Sequence, residues 1–186
     1  MARMWKALAP LLVVGCGSQG GGNTWKDGGP DGAPIELRVG TGTTDFVDIP
    51  DSGILEVIKG PQGGIHLIVN ARAAEMDQPG NPDDPGDQAN PITRFEAFAL
   101  DGGVMHWVDQ LGVPLPPYHL GWFAGASGGL EIGGHILRLH IPEGFTPDTY
   151  IDQVLQGRQL RIRVTTEQVN GRRGSGETVV ITRKSQ

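Results

Sequence analysis

The sequence predicts an all-β chain, an antiparallel β-sandwich of about seven to nine short strands. Three observations carry that prediction. Apolar and polar residues alternate with period two through most of the chain beyond residue 34. The runs are separated by turn-forming clusters, "DIPDSG", "KGPQGG", "ALDGG" and "NGRRGSG". No strand–helix–strand rhythm interrupts them, which excludes the parallel architectures and leaves an immunoglobulin-like sandwich as the expected form. The 30 glycines and 14 prolines follow no collagen period and fall between the β-like runs, as many tight turns require.

The elements follow in order. "IELRV" at 35–39 and "ILEVI" at 54–58 alternate cleanly. "GIHLIVNAR" at 64–72 is apolar on both faces near its middle, as a central strand should be. "TRFEAF" at 93–98, "GGHILRLHI" at 133–141, "QLRIRVTTEQV" from Gln159 and "ETVVITR" at 177–183 complete the stronger set, with "VMHWV" and "YHLGWF" as weaker members. In "TPDTYIDQVLQG" a single helical turn is expected, with Thr146 as cap, Pro147 in the first helical position and Gly157 as terminator. The acidic Pro/Gly segment 75–91 reads as a loop between strands.

Ahead of this domain, 34–186, lie two segments of different character. "MARMWK" carries Arg3 and Lys6 and no acid, and "ALAPLLVV" is an apolar run far shorter than the roughly 20 residues that span a bilayer. A charged start, a short apolar run and a small residue form a secretory signal pattern over 1–15. The stretch 16–33 begins with the single cysteine, Cys16, and continues as a glycine-rich tether with little to bury.

"VVGC" at 13–16 resembles the lipobox of bacterial lipoproteins. The resemblance implies cleavage between Gly15 and Cys16, a diacylglycerol on the Cys16 sulfur and a further acyl chain on its freed amine. Two or more chains anchor firmly where one binds marginally, at about 0.8 kcal/mol per buried CH₂. The absence of Asp after Cys16 leans, by the same resemblance, towards the outer membrane of a Gram-negative envelope. "GPQGGIH" at 60–66, with "VGTG" upstream and a Gly/Arg-rich hairpin before the last strand, is similar to uncharacterised exported β-sandwich lipoproteins of Gram-negative bacteria. That likeness spans roughly 36–182 and implies fold and location; it brings no activity.

"GASGG" at 125–129 satisfies the G-x-S-x-G pattern around Ser127. The strand-like, glycine-broken sequence that follows lacks the helix a nucleophile elbow needs, and Glu131 stands too close to supply a separated triad. His66, His106, His119, His135 and His140 have no zinc spacing, and His135 and His140, five apart on one strand, face opposite sides. Asp77, Asp83, Asp84 and Asp87 with Asn81 and Asn90 offer oxygen ligands without the calcium-loop pattern. Trp107, Tyr118, Trp122 and Phe123 read either as core or as a platform for a sugar ring or peptide. From Cys16 onward 13 basic residues face 21 acidic ones, which excludes a nucleic-acid partner. The acidic 27–101 and the basic 158–186 are expected to complement each other.

A site remains at "KGPQGGIHLIVN". Pro61 presets the first central position of a turn, Gly63 or Gly64 supplies positive φ, and His66 lies opposite Ile65, Leu67 and Val69. Gly60, Pro61, Gln62, Gly63, Gly64 and His66 thus form either a structural turn, with His66 hydrogen-bonded to it, or a binding element. The expected protein is a lipid-anchored envelope module, not an enzyme, needing no cofactor or metal, with the membrane and an envelope protein or glycan as partners. The alternative is a metal- or carbohydrate-binding envelope protein.

Overall fold

The computed structural model describes residues 33–186 except 51, 78–79, 102–103, 110–117 and 127. The signal segment, Cys16 and nearly all of the tether therefore lie outside the described residues, as does Ser127. Within them the chain is mostly β: β1 (Ile35–Thr41), β2 (Val47–Asp48), β3 (Gly53–Lys59), β4 (Ile65–Ala73), β5 (Ile92–Asp101), β6 (Val104–Trp107), β7 (Tyr118–His119), β8 (Phe123–Ala124), β9 (Leu130–Leu139), β10 (Gln159–Glu167) and β11 (Arg173–Lys184). Every period-two run corresponds to a strand, and the count exceeds the expected seven to nine because β2, β7 and β8 are two residues each.

The single helical element falls where its cap chemistry puts it. Helix α1 (Pro147–Tyr150) continues as a π-helical turn over Ile151–Leu155. Thr146 Oγ1 accepts the Thr149 amide (3.2 Å), while the Thr146 amide donates to Thr149 Oγ1 (2.9 Å), a reciprocal capping box. Tyr150, Ile151 and Leu155 bury one side of the turn in the core.

The sheet is mixed rather than purely antiparallel. Strand β11 pairs antiparallel with β10 along its length, but its other edge receives β1 and β3 in parallel, at Ile35–Gly174 and Gly53–Val180. Those two strands lie end to end along one edge, and each also bonds antiparallel to β4. They tie the β11–β10–β5–β6 ladders to the β4–β9–β8 ladders. At the far side Asp109 bridges Leu139, and the His140 amide donates to the Val108 carbonyl (2.9 Å). Parallel neighbours of this kind are invisible to a period-two pattern, which reports a residue's face but not its strand's direction.

Inward-facing residues of both sets of ladders form one core, among them Leu67, Val69, Phe95, Leu137, Ile162 and Val164. Trp122 is fully buried in it, and its Nε1–H donates to Thr93 Oγ1 (3.1 Å), which in turn lies 3.0 Å from Thr166 Oγ1. Burying an indole requires such a partner. Opposite Asn70, β9 carries a bulge at Gly133–Gly134, where the register shifts. Asn70 Nδ2 donates to the carbonyls of Thr41, Gly42 and Asp45, and its Oδ1 accepts the Gly134 amide (2.7 Å). A Cβ at Gly134 would meet the Thr43 carbonyl at 2.8 Å in a backbone at φ +64°, so only glycine lets the 42–46 loop lie on the bulge.

Candidate functional site

The β3–β4 hairpin reverses through "GPQGG". The Gly63 amide donates to the Gly60 carbonyl (3.0 Å) and the Gly60 amide to the Gly64 carbonyl (2.8 Å), with Pro61 and Gln62 exposed at the tip. Gly63 supplies the positive φ, at +81°. Gly64 does not need it, which narrows the two glycine candidates to one.

Beyond the turn the pleat sorts side chains by face. Ile65, Leu67 and Val69 of β4 point into the core, so His66 and Ile68 point out. On β9, Leu137 and Leu139 point in while Ile136 and Arg138 point out. The register sets His66 opposite Arg138 and Ile68 opposite Ile136, and on the other side of β4 it sets Ile58 opposite His66. Ile136 and Ile54 are each 53 % exposed, so this outer face carries an apolar strip beside a row of basic groups. The turn and Ile136 border a cleft of about 440 Å³ whose lining includes Gln62, His66 and Arg138, while Ile54 and Ile68 line a neighbouring depression.

His66 does not hydrogen-bond the turn; its ring lies beside Gly60, with Nδ1 3.9 Å from where a Cβ would stand. Among the described residues it has no hydrogen-bond partner, and Arg138 has no ion-pair partner. The other outward bases are differently placed. Arg72 meets Glu131 (2.7 Å), Arg38 meets Asp48 (2.9 Å), Lys184 meets Asp152 (2.9 Å), and Arg163 meets Glu177. Partial burial, then the nearby Arg138 guanidinium, holds the His66 imidazolium below its ordinary range.

The other candidates disperse. His135 turns inward, stacked on Phe95 (4.0 Å) with its Nε2 3.3 Å from the Tyr118 hydroxyl, and burial pushes its pKa down to about 4. His119 Nδ1 lies 2.7 Å from the Asn90 carbonyl, whereas His106 and His140 are exposed. Among the described residues no three His, Cys, Asp or Glu side chains gather as a metal site would require. In the acidic loop Asp87 accepts the Asn81 and Ala89 amides (2.7 and 2.9 Å) and Asp84 accepts the Gly86 amide (2.8 Å); its carboxylates bind the loop's own backbone. The amide bonds hold the Asp87 carboxyl below its usual range. Glu131 is engaged by Arg72. The four aromatics part company: Trp122 is buried, Phe123 is exposed, and Trp107 leans half-buried on Phe98 (4.1 Å). Tyr118 is also half-buried. The acidic and basic halves of the chain meet at Glu56–Arg183 (3.1 Å) and Asp77–Arg172 (4.0 Å).

The sequence alone does not single out Arg138 and Ile136. Their signal was the alternation of "HILRL", which marks them as outward-facing, but their meeting with His66 depends on a register set by the bulge. Comparison of the chain with protein-family models, with curated proteins and with solved structures gives no match. No helix among the described residues is long and apolar enough to cross a membrane.

Proposed function

We propose that the protein is a cell-envelope lipoprotein, anchored through acylated Cys16 in the outer membrane, whose β domain is a non-enzymatic binding module. The exposed isoleucine strip beside the unpaired His66–Arg138 row is the observation that carries the binding reading. Apolar patches of this kind on a polar-rimmed surface mark interaction sites. The lipobox-like "VVGC" and the charged, short-apolar start support the anchor.

The domain's geometry gives the two features a common sense. Ala33, where the tether ends, lies against Arg172 of the β10–β11 turn, whose guanidinium donates to its carbonyl. The β3–β4 turn is at the other end of β4, roughly 25 Å away at about 3.3 Å per residue. A tether that leaves at Ala33 therefore does not cover the cleft, which stays open to an envelope protein or a glycan.

The finer architecture belongs to the same proposal: two packed sheets with immunoglobulin-like connectivity. In its support, the ladders run β1–β4–β9–β8 and β11–β10–β5–β6, the spatial order of the A-B-E-D and G-F-C-C′ strands of that fold. The edge strand is split into β1 and β3, and the single cysteine allows no inter-sheet disulfide.

Two measurements test the reading in cells. An alkynyl fatty acid should label the wild type and not Cys16→Ser, and equal labelling would overturn the anchor. A photo-crosslinking residue in place of Ile136 should yield a discrete envelope adduct, whereas one in place of the exposed Val169, on the β10–β11 turn, should not. Equal adducts at both positions, or none at Ile136, would overturn the binding face.

A further inference from the structure

We propose that the cleft beside the β3–β4 turn recognises an anionic group on a short apolar body, the anion held between Arg138 and His66 and the body lying against Ile136, next to Ile68. The proposal rests on the binding-module reading and names the chemistry of its ligand.

Two observations carry it independently. Opposite charges facing each other across a ladder stabilise it, so an outward arginine is well placed opposite a carboxylate. Here Arg138 instead faces His66 and has no ion-pair partner among the described residues, and the carboxylates tied to β3 are engaged elsewhere. Glu56 of β3 binds Arg183 (3.1 Å), and Asp148 of α1 binds Lys59 (2.6 Å). The arginine therefore offers its whole fork of donors, a geometry that matches carboxylate or phosphate. His66 adds a ring N–H whether or not it is protonated. The glycine at position 60 leaves the imidazole edge uncovered.

The apolar half comes from the register. The Ile68–Ile136 pair stands one row from the His66–Arg138 pair on the same face, roughly 7 Å along the strands. That spacing suits a charged head followed at once by methylene or methyl groups. A cleft of about 440 Å³ is within the range of small-ligand sites, roughly 300–1,000 Å³.

The test is a titration of the purified full chain, with isoleucine methyl groups labelled, by hexanoate, hexyl phosphate, hexylammonium and acetate. Saturable shifts are expected in the methyl signals of Ile68 and Ile136 and in the ring signal of His66. They should appear with hexanoate or hexyl phosphate and not with hexylammonium, and acetate should bind at least tenfold more weakly. The tighter of the two hexyl anions tells a carboxylate ligand from a phosphate one. Arg138→Gln, at an exposed position, should weaken binding at least tenfold with the remaining spectrum unchanged, and Arg161→Gln on β10 should leave binding as it was. No saturable shift with either anion, an equal response to hexylammonium, or an unaltered affinity in Arg138→Gln would overturn the proposal. An Ile136 cross-link that forms despite such a result would leave the binding face standing and discard its anion specificity; loss of both would remove the two together.

Discussion

His135 shows how one residue's surroundings set a property of the whole domain. Packed between Phe95 and Tyr118, it is held neutral, with a folded-state pKa of about 4 against an ordinary value of 6.5. The depressed pKa means that the unfolded chain binds the proton first. The stability is therefore fully present above pH 6.5, falls as the pH drops, and stops falling below about 4. The loss across that window amounts to about 3 kcal/mol. Urea midpoints at pH 7.5 and 4.5 should fall further apart in the wild type than in His135→Phe, and equal differences would contradict the assignment. The β3–β4 turn is as specific. Gly63→Val should cost about 1–3 kcal/mol through its positive φ. Gly64→Ala, with nothing within 4 Å of an added Cβ and no positive φ, should stay within about 0.5 kcal/mol. Thermal melts of the two variants separate these outcomes.

Among the elements, the β9 bulge is the joint most dependent on a single side chain. Asn70 holds three carbonyls of the 41–45 segment and the Gly134 amide, all from a fully buried position. Asn70→Ala leaves these groups without their partner, and a loss of about 2–4 kcal/mol is expected at roughly 1 kcal/mol per bond. Amides of 133–136 should exchange faster than those of β10, whereas a uniform rise would show that the bulge is not a local joint. This element also marks the limit of what the sequence reveals. Long alternating runs such as 159–167 are legible because period two names the buried face. Two-residue strands such as β7 carry no period at all. The capping box at Thr146 is legible because its chemistry is local. The bulge is not, because Gly133–Gly134 reads equally well as a turn. Consequently Gly60–His66 is legible as a turn or binding element, while Ile136 and Arg138, the other wall of the cleft, require the register.

At the scale of the whole molecule the proposed anchor and tether precede the β domain. The glycine-rich composition of 17–33 offers little apolar surface to offset the entropy of ordering it. Deleting 20–30 should thus leave the melting temperature within about 2 °C, since changes away from packed features rarely exceed about 0.5 kcal/mol. A larger fall would show that this stretch contributes to the domain. Whether lipid on Cys16 holds the protein in the envelope is decided by mass spectrometry of the protein extracted from membranes. Trypsin should release an N-terminal peptide that begins at Cys16, ends at Lys26, and carries the mass of a diacylglycerol plus an amide-linked acyl chain. A peptide that crosses the Gly15–Cys16 bond, or an unmodified Cys16 in the membrane fraction, would contradict the anchor.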